Sequence, residues 1–278
     1  IIMIISDFHT HSSNSGDSDE KMQVLVEEAI KNGIKHLCIT EHNDFDYPDA
    51  PKGYEDEMCD FVLDVDTYYK EYNKLKEKYS SDNDFNLYFG VELGLQTHIV
   101  NENRDFIKGY PFDFVIASSH LFDKSDPYFP TFWEGKDEKE LFKRYFESIY
   151  ENICLFDDFD VYGHLDYILR YGKNKDRDIR FSDFFDEIDA ILHKLIEMGK
   201  GIEINTGGLR SGLKFPNPNP HILRRYRELN GEIITIGSDA HSGKNIADSF
   251  AVAEDILTEC GFKYYTVFKG RTASFIKL

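Results

Sequence analysis

A closed α/β barrel built from parallel βα units is the fold class this chain predicts, on three observations. Short runs rich in β-branched and aromatic residues alternate with longer segments of helical period. Seven or eight such units fit within 278 residues. Clusters of histidine and carboxylate follow the strand candidates, and a barrel gathers every C-terminal strand end at one mouth. An open doubly wound sheet shares the local pattern but would spread the clusters along an edge.

Seven strands are expected at Ile1 to Ile5, Lys35 to Thr40, Asn86 to Val91, Phe112 to Ala117, Phe159 to Tyr162, Gly201 to Ile204 and Ile233 to Ile236. Helices are expected at Met22 to Lys31, Asp60 to Tyr79, Asp137 to Leu155, Ser182 to Met198, Pro220 to Leu229 and Ile246 to Glu259. Gly33, Gly199 and Gly231 stand just past three of them, where a left-handed cap ends a helix. Tyr264 to Phe268 and Ser274 to Leu278 read as a terminal hairpin. No fixed repeat and no Gly-, Ser- or Pro-rich linker divides the chain, so residues 1–278 read as a single domain.

Composition narrows the partners. With 51 acidic against 32 basic residues the formal charge is −19, which disfavours nucleic acid and anionic membranes. No apolar run approaches a membrane span, and Ile1 to Ile5 is too short for a signal peptide, so a soluble cytoplasmic protein is expected. Cys38, Cys59, Cys154 and Cys260 lie far apart without a CxxC pair and read as buried free thiols. Neither a GxxxxGK[ST] loop nor a GxGxxG fingerprint is present, which removes support for nucleoside triphosphate or dinucleotide chemistry.

Six of ten histidines sit after strands: His9 and His11, His42, His120, His164 and His241. Carboxylates accompany them at Asp7, Glu41, Asp44, Glu92, Asp166, Glu203 and Asp239. Alternate residues of an extended segment point the same way, so His9 with His11, and Asp239 with His241, can reach one ion together. Imidazole and carboxylate suit Zn, Mn or Fe, and the lack of a cysteine cluster disfavours a thiolate site. His9, His11, Asp17, His42, Glu92, His120, His164, Asp239 and His241 are nine donors, too many for one ion that keeps an open position. Two or three metals are implied, with Glu92 as a bridging candidate. His36, His98, His193 and His221 lack this context and read as structural or surface residues.

In this order the clusters resemble the metal-dependent phosphoesterases of the polymerase and histidinol phosphatase (PHP) superfamily, from Asp7 to about Phe250. Glu203 to Arg210 (EINTGGLR), Gly163 to Arg170 (GHLDYILR) and Gly237 to Ser242 (GSDAHS) are most similar to its histidinol-phosphatase branch. The resemblance implies a distorted (βα)7 barrel of the TIM-like type holding three divalent ions. One would be held by His9, His11, Glu92 and Asp239; a second by Glu92, His120 and His164; a third by Asp17, His42 and His241. Asp19 competes with Asp17, and the branch usually has serine where Gly207 stands.

Three such ions, offset by Asp17, Glu92, Asp239 and a bridging hydroxide, leave about +2, matching a phosphate dianion. Arg210 and Arg170 are the phosphate-clamping candidates, because guanidinium binds two phosphate oxygens at once. Asn205 joins them for substrate binding. The expected mechanism is in-line attack by a metal-bound hydroxide. Asp44, Asp166 and Glu203 are candidates either to protonate the leaving oxygen or to orient a liganding imidazole.

The resemblance thus implies hydrolysis of L-histidinol phosphate in histidine biosynthesis, with Tyr47, Asp123, Tyr128 and Trp133 as an acidic, aromatic rim. Alternatives are another small phosphomonoester, a nucleic-acid end, or a non-catalytic metal-binding regulatory module.

Overall fold

In a computed structural model that describes residues 4–55, 60–80, 84–172 and 181–278, seven parallel strands follow one another in chain order. They are β1 (Ser6–Asp7), β2 (His36–Asn43), β3 (Asn86–Gly94), β4 (Phe114–Ser118), β5 (Val161–Tyr162), β6 (Gly201–Asn205) and β7 (Ile234–Gly237). The ring closes by backbone hydrogen bonds between its first and last strands: Phe8 N–H to Ile236 C=O, 2.9 Å; Asp239 N–H to His9 C=O, 2.8 Å; His11 N–H to Ala240 C=O, 2.9 Å. This is a TIM-like barrel of seven strands. The strands are buried on both faces, which is why they read as near-continuous apolar runs.

Eight helices are described: α1 (Met22–Lys31), α2 (Val65–Lys78), α3 (Val100–Gly109), α4 (Glu138–Leu155), α5 (Phe185–Glu197), α6 (Gly207–Arg210), α7 (Pro220–Glu228) and α8 (Phe250–Glu259). Met22, Leu25, Val26 and Ala29 show the logic of the longer ones, a buried stripe at helical spacing laid on the barrel. Side-chain caps set three starts. Asp64 accepts from Thr67 N–H, Asp137 from Lys139 and Glu140 N–H, and Asn219 from His221 N–H.

Several boundaries differ from expectation. β1 falls later than Ile1 to Ile5: Ile5 C=O already accepts from Lys35 and His36, and pairing continues through Ser6 and Asp7, while residues 1–3 lie outside the described residues. β2 and β3 run on through His42 and Glu92, so those side chains stand on strands. The sequence does not announce α3, because only Asn103 and Ile107 of its ten residues are buried and no apolar stripe forms. α8 starts at Phe250 and not at Ile246, since Ala247 and Ser249 take φ of 58° and 60°. Cys38 and Cys260 are buried as expected; Cys154 is exposed on α4, and Cys59 lies outside the described residues.

The terminal hairpin forms as β8 (Tyr264–Lys269) and β9 (Thr272–Lys277). Tyr265 Oη accepts from Ile5 N–H, Thr266 Oγ1 from Ile234 N–H, and Arg271 pairs with Asp158 and Asp160. All of these lie at strand starts, so the hairpin covers the N-terminal mouth and leaves the C-terminal mouth for the donors. No described helix is long and apolar enough to cross a membrane.

Candidate metal centre and cavity

Glu92, fully buried on β3, is the hub of the C-terminal mouth. Its Oε2 lies 3.0 Å from His9 Nε2, 3.4 Å from His11 Nε2 and 3.0 Å from His42 Nδ1. Its Oε1 lies 3.0 Å from His120 Nε2 and 2.8 Å from His164 Nε2. Asp239 Oδ1 sits 3.7 and 3.5 Å from the same nitrogens of His9 and His11. Asp17 Oδ2 reaches His241 Nε2 at 3.0 Å and His42 Nε2 at 3.5 Å.

Two donors each about 2.1 Å from one ion stand roughly 3.0–3.4 Å apart at octahedral or tetrahedral angles. The measured spacings, 2.8 to 3.7 Å, scatter about that range. His11 Nε2 and His42 Nδ1 are buried, close to a carboxylate, and yet make no hydrogen bond, as donors aimed at an ion would be. Four overlapping donor sets can each hold an ion: His9–His11–Asp239, His9–Glu92–His164, His42–Glu92–His120 and His11–His42–His241. All nine expected donors therefore converge. Asp17, not the exposed Asp19, points at His42 and His241.

Burial alone would lower the His9 imidazole, but Glu203, Glu92 and Asp239 outweigh it and raise it well above its usual value. His120, against the same burial, is pushed up to about 10 by Asp44 and Glu92. His11 is held well below the usual range by burial and by its neighbours His42 and His241. Burial would raise Glu92, but the imidazoles of His9, His120 and His42 hold it well below the ordinary carboxylate range. An imidazole binds a metal in its neutral form, so metal binding by this cluster would release protons.

Behind the donors stands a layer of orienting groups. Glu203 Oε1 accepts from His9 Nδ1 at 2.6 Å and its Oε2 from His164 N–H at 3.0 Å. Asn205 donates to Glu203 and accepts from Gly207 N–H and Arg170. Neither Glu203 nor Asn205 borders the cavity, so the structure places both behind the donors and not at the substrate's side. Asp166, pushed up to about 6 by burial, is likewise turned away, onto Asn217 and Asn219 N–H. Asp44 alone of the three proton-transfer candidates borders the cavity; its Oδ1 receives His120 Nδ1 at 2.9 Å and its buried Oδ2 has no hydrogen-bond partner.

Two further groups went unassigned in the sequence. Asp7 accepts from Ser238 and Ala247 N–H and so fixes the segment carrying Asp239 and His241. Glu41 accepts from Ser12 N–H and from the Ser15 hydroxyl, which shapes the turn after His11. Each lies close to a ligand in the chain, Asp7 two residues before His9 and Glu41 immediately before His42, and that proximity is the signal that could have found them.

Tight packing also explains glycine at the end of β7. A Cβ on Gly237 would fall onto Glu203 and His9. Gly237→Ala is expected to cost about 1–3 kcal/mol, read as a drop in Tm together with weaker metal retention.

Over the donors opens a cavity of about 390 Å³. Arg210 donates at 2.6 Å to the Ser238 and Asp239 carbonyls, leaving a buried Nη1 with no hydrogen-bond partner. Arg170 is held by Asn217, Asp239 and Asn205 at 2.8, 2.8 and 3.0 Å. A Cβ on Gly207 would press on Asn205, Asp239 and Arg170, so the glycine lets this network close. Tyr47 and Tyr128 border the cavity as expected of the rim. Asp123 and Trp133 do not: Asp123 turns outward to Arg144, and Trp133 is buried with its Nε1 on Pro127 C=O. Phe61, Asp126, Tyr167 and Tyr171 take that part of the wall instead. The four histidines without strand-end context stand away from it.

A parallel barrel with this many imidazole and carboxylate donors at one mouth defines a class, and comparison supplies the family. The chain belongs to the PHP domain family, which it matches over residues 7–207. It is 35% identical over 92% of its length to a probable histidinol-phosphatase of Clostridium acetobutylicum, covering 94% of that protein. It is 32% identical over 95% of its length to the histidinol-phosphatase of Lactococcus lactis, covering 94% of it. Its fold superposes with TM-score 0.85 and 31% identity on the crystal structure of L. lactis histidinol phosphate phosphatase in complex with zinc, L-histidinol and phosphate. The match covers 97% of this chain and 98% of the other.

Proposed function

We propose that this protein is a histidinol-phosphatase, hydrolysing L-histidinol phosphate to L-histidinol and phosphate in histidine biosynthesis, in the cytoplasm. The observation that carries the reading is the Glu92-centred donor cluster beneath a cavity that Arg210 and Arg170 border. Its relatives of similar length are histidinol-phosphatases, and one of them is seen with zinc, L-histidinol and phosphate.

The residues fit three divalent ions, Zn, Mn or Fe, held by His9, His11, Glu92 and Asp239; by Glu92, His120 and His164; and by Asp17, His42 and His241. Such ions would activate water and neutralise charge on the phosphoryl group. The chain's own groups do the rest. Arg210, whose Nη1 makes no hydrogen bond and stands 3.6 Å from Asp248 Oδ2, can offer an N–H group to a phosphoryl oxygen, and Arg170 has N–H groups beyond the three already engaged. Glu203 fixes the His9 ring so that Nε2 faces the centre. Asp44 accepts from His120 Nδ1 and so orients that ring at the edge of the cavity.

The test is phosphate release from L-histidinol phosphate against a panel of phosphomonoesters, on protein assayed for metal, stripped and reconstituted. The expected result is a metal-dependent rate on L-histidinol phosphate that exceeds the panel by about two orders of magnitude or more. Equal slow rates across the panel would keep a phosphoesterase site and overturn the substrate.

A further inference from the structure

Arg210 is held by two contacts that differ in kind. Its Nη2 donates at 2.6 Å to the carbonyls of Ser238 and Asp239, which fixes the direction of the guanidinium. Its Nη1 lies 3.6 Å from Asp248 Oδ2, an ion pair outside hydrogen-bond reach. Asp248 therefore adds negative charge beside the guanidinium without directing it.

The chain holds Asp248 in this place by unusual means. Its two neighbours, Ala247 and Ser249, take the left-handed backbone conformation at φ 58° and 60°. Residues that carry a side chain adopt it at a cost and keep it only where surrounding contacts impose it. Two such contacts come from distant parts of the chain: Asp7 Oδ2 accepts the Ala247 N–H at 3.1 Å, and Asn32 Nδ2 donates to Ile246 C=O at 3.2 Å. Asp7 Oδ1 also accepts the Ser238 N–H at 2.9 Å. One fully buried carboxylate thus ties the carbonyl segment that holds Arg210 to the turn that carries Asp248.

Arg210 borders the cavity and Asp248 does not, so the carboxylate bears on a bound phosphoryl group through the guanidinium and not by contact. A guanidinium that already faces a carboxylate offers less net charge to a phosphate dianion. Phosphate affinity shared by substrate and product does not speed turnover, and an offsetting charge limits it.

From this arrangement we infer that Asp248, acting through Arg210, weakens the cavity's hold on phosphate and so favours release of the inorganic phosphate product. This rests on the reading of Arg210 as the phosphate contact.

The experiment measures inorganic phosphate on metal-loaded protein in two ways, as Kd by titration calorimetry and as the inhibition constant against 4-nitrophenyl phosphate hydrolysis. Asp248→Asn is expected to lower both at least about threefold at low ionic strength, and Asp248→Glu to return them toward wild type. At about 1 M salt, where the screening length is about 3 Å, the difference between wild type and Asp248→Asn should shrink below about twofold. Unchanged or weaker phosphate binding in Asp248→Asn overturns the inference. So does a tightening that persists undiminished at high salt, because a repacked turn does not respond to screening.

Arg210→Met separates this inference from the reading beneath it. Weaker phosphate binding in Arg210→Met, with none of the expected change in Asp248→Asn, would keep Arg210 as the phosphate contact and reject the role of Asp248. Unchanged binding in Arg210→Met would reject both. With inorganic phosphate as the probe, none of these outcomes depends on which alcohol the substrate carries.

Discussion

Glu92→Gln is expected to lower kcat/KM at least about a thousandfold and to leave the purified protein short of metal. Replacing a group that merely orients a ligand typically costs about 10–100-fold in metal affinity or activity, and Glu203→Gln, behind His9, should fall in that range. Glu92 faces five imidazoles with its two oxygens and also accepts the Ser118 hydroxyl at 2.6 Å. Glutamine offers one oxygen and no charge, so it cannot bridge two ions or balance them. Elemental analysis with phosphate-release kinetics checks this: full metal content and near-normal turnover in the variant would contradict a bridging carboxylate.

Arg210→Met and Arg170→Met should separate a phosphate contact from a scaffold contact. Arg210 is partly exposed, borders the cavity and pairs through Nη1 with Asp248 at 3.6 Å, so its loss should cost about 100–1,000-fold in kcat/KM with little change in Tm. Arg170 is buried, and its loss leaves Asp239 without its guanidinium partner and Asn217 Oδ1 without a donor. Removing one partner of a buried ion pair costs about 3–5 kcal/mol, so Arg170→Met should lower Tm as well as activity. Thermal unfolding beside steady-state kinetics for both variants makes the distinction; an undiminished Tm in Arg170→Met would refute the scaffold role.

The strands and the donors on them were legible because their signals are local. His9 and His11 share a side by the period of an extended chain, and apolar runs mark β2, β3 and β4 as buried on both faces. The hairpin at Tyr264–Lys277 rests on equally local chemistry. α3 escaped because its ten residues bury too little to print a stripe. The roles of Glu203 and Asn205 were harder, since a polar residue near the end of β6 reads alike whether it meets solvent, substrate or the back of another ligand.

By itself the sequence determined which strand each metal donor follows, because strand period and apolar runs are properties of neighbouring residues. Tertiary structure alone decided what those donors see. His9 and His11 meet Asp239 only because the ring closes between β1 and β7, and Asp126 turns inward while Asp123, at φ 47°, turns out to Arg144. Loop side chains carry no period, so their direction follows from contacts such as Tyr47 with Asp126, made across 79 residues of chain.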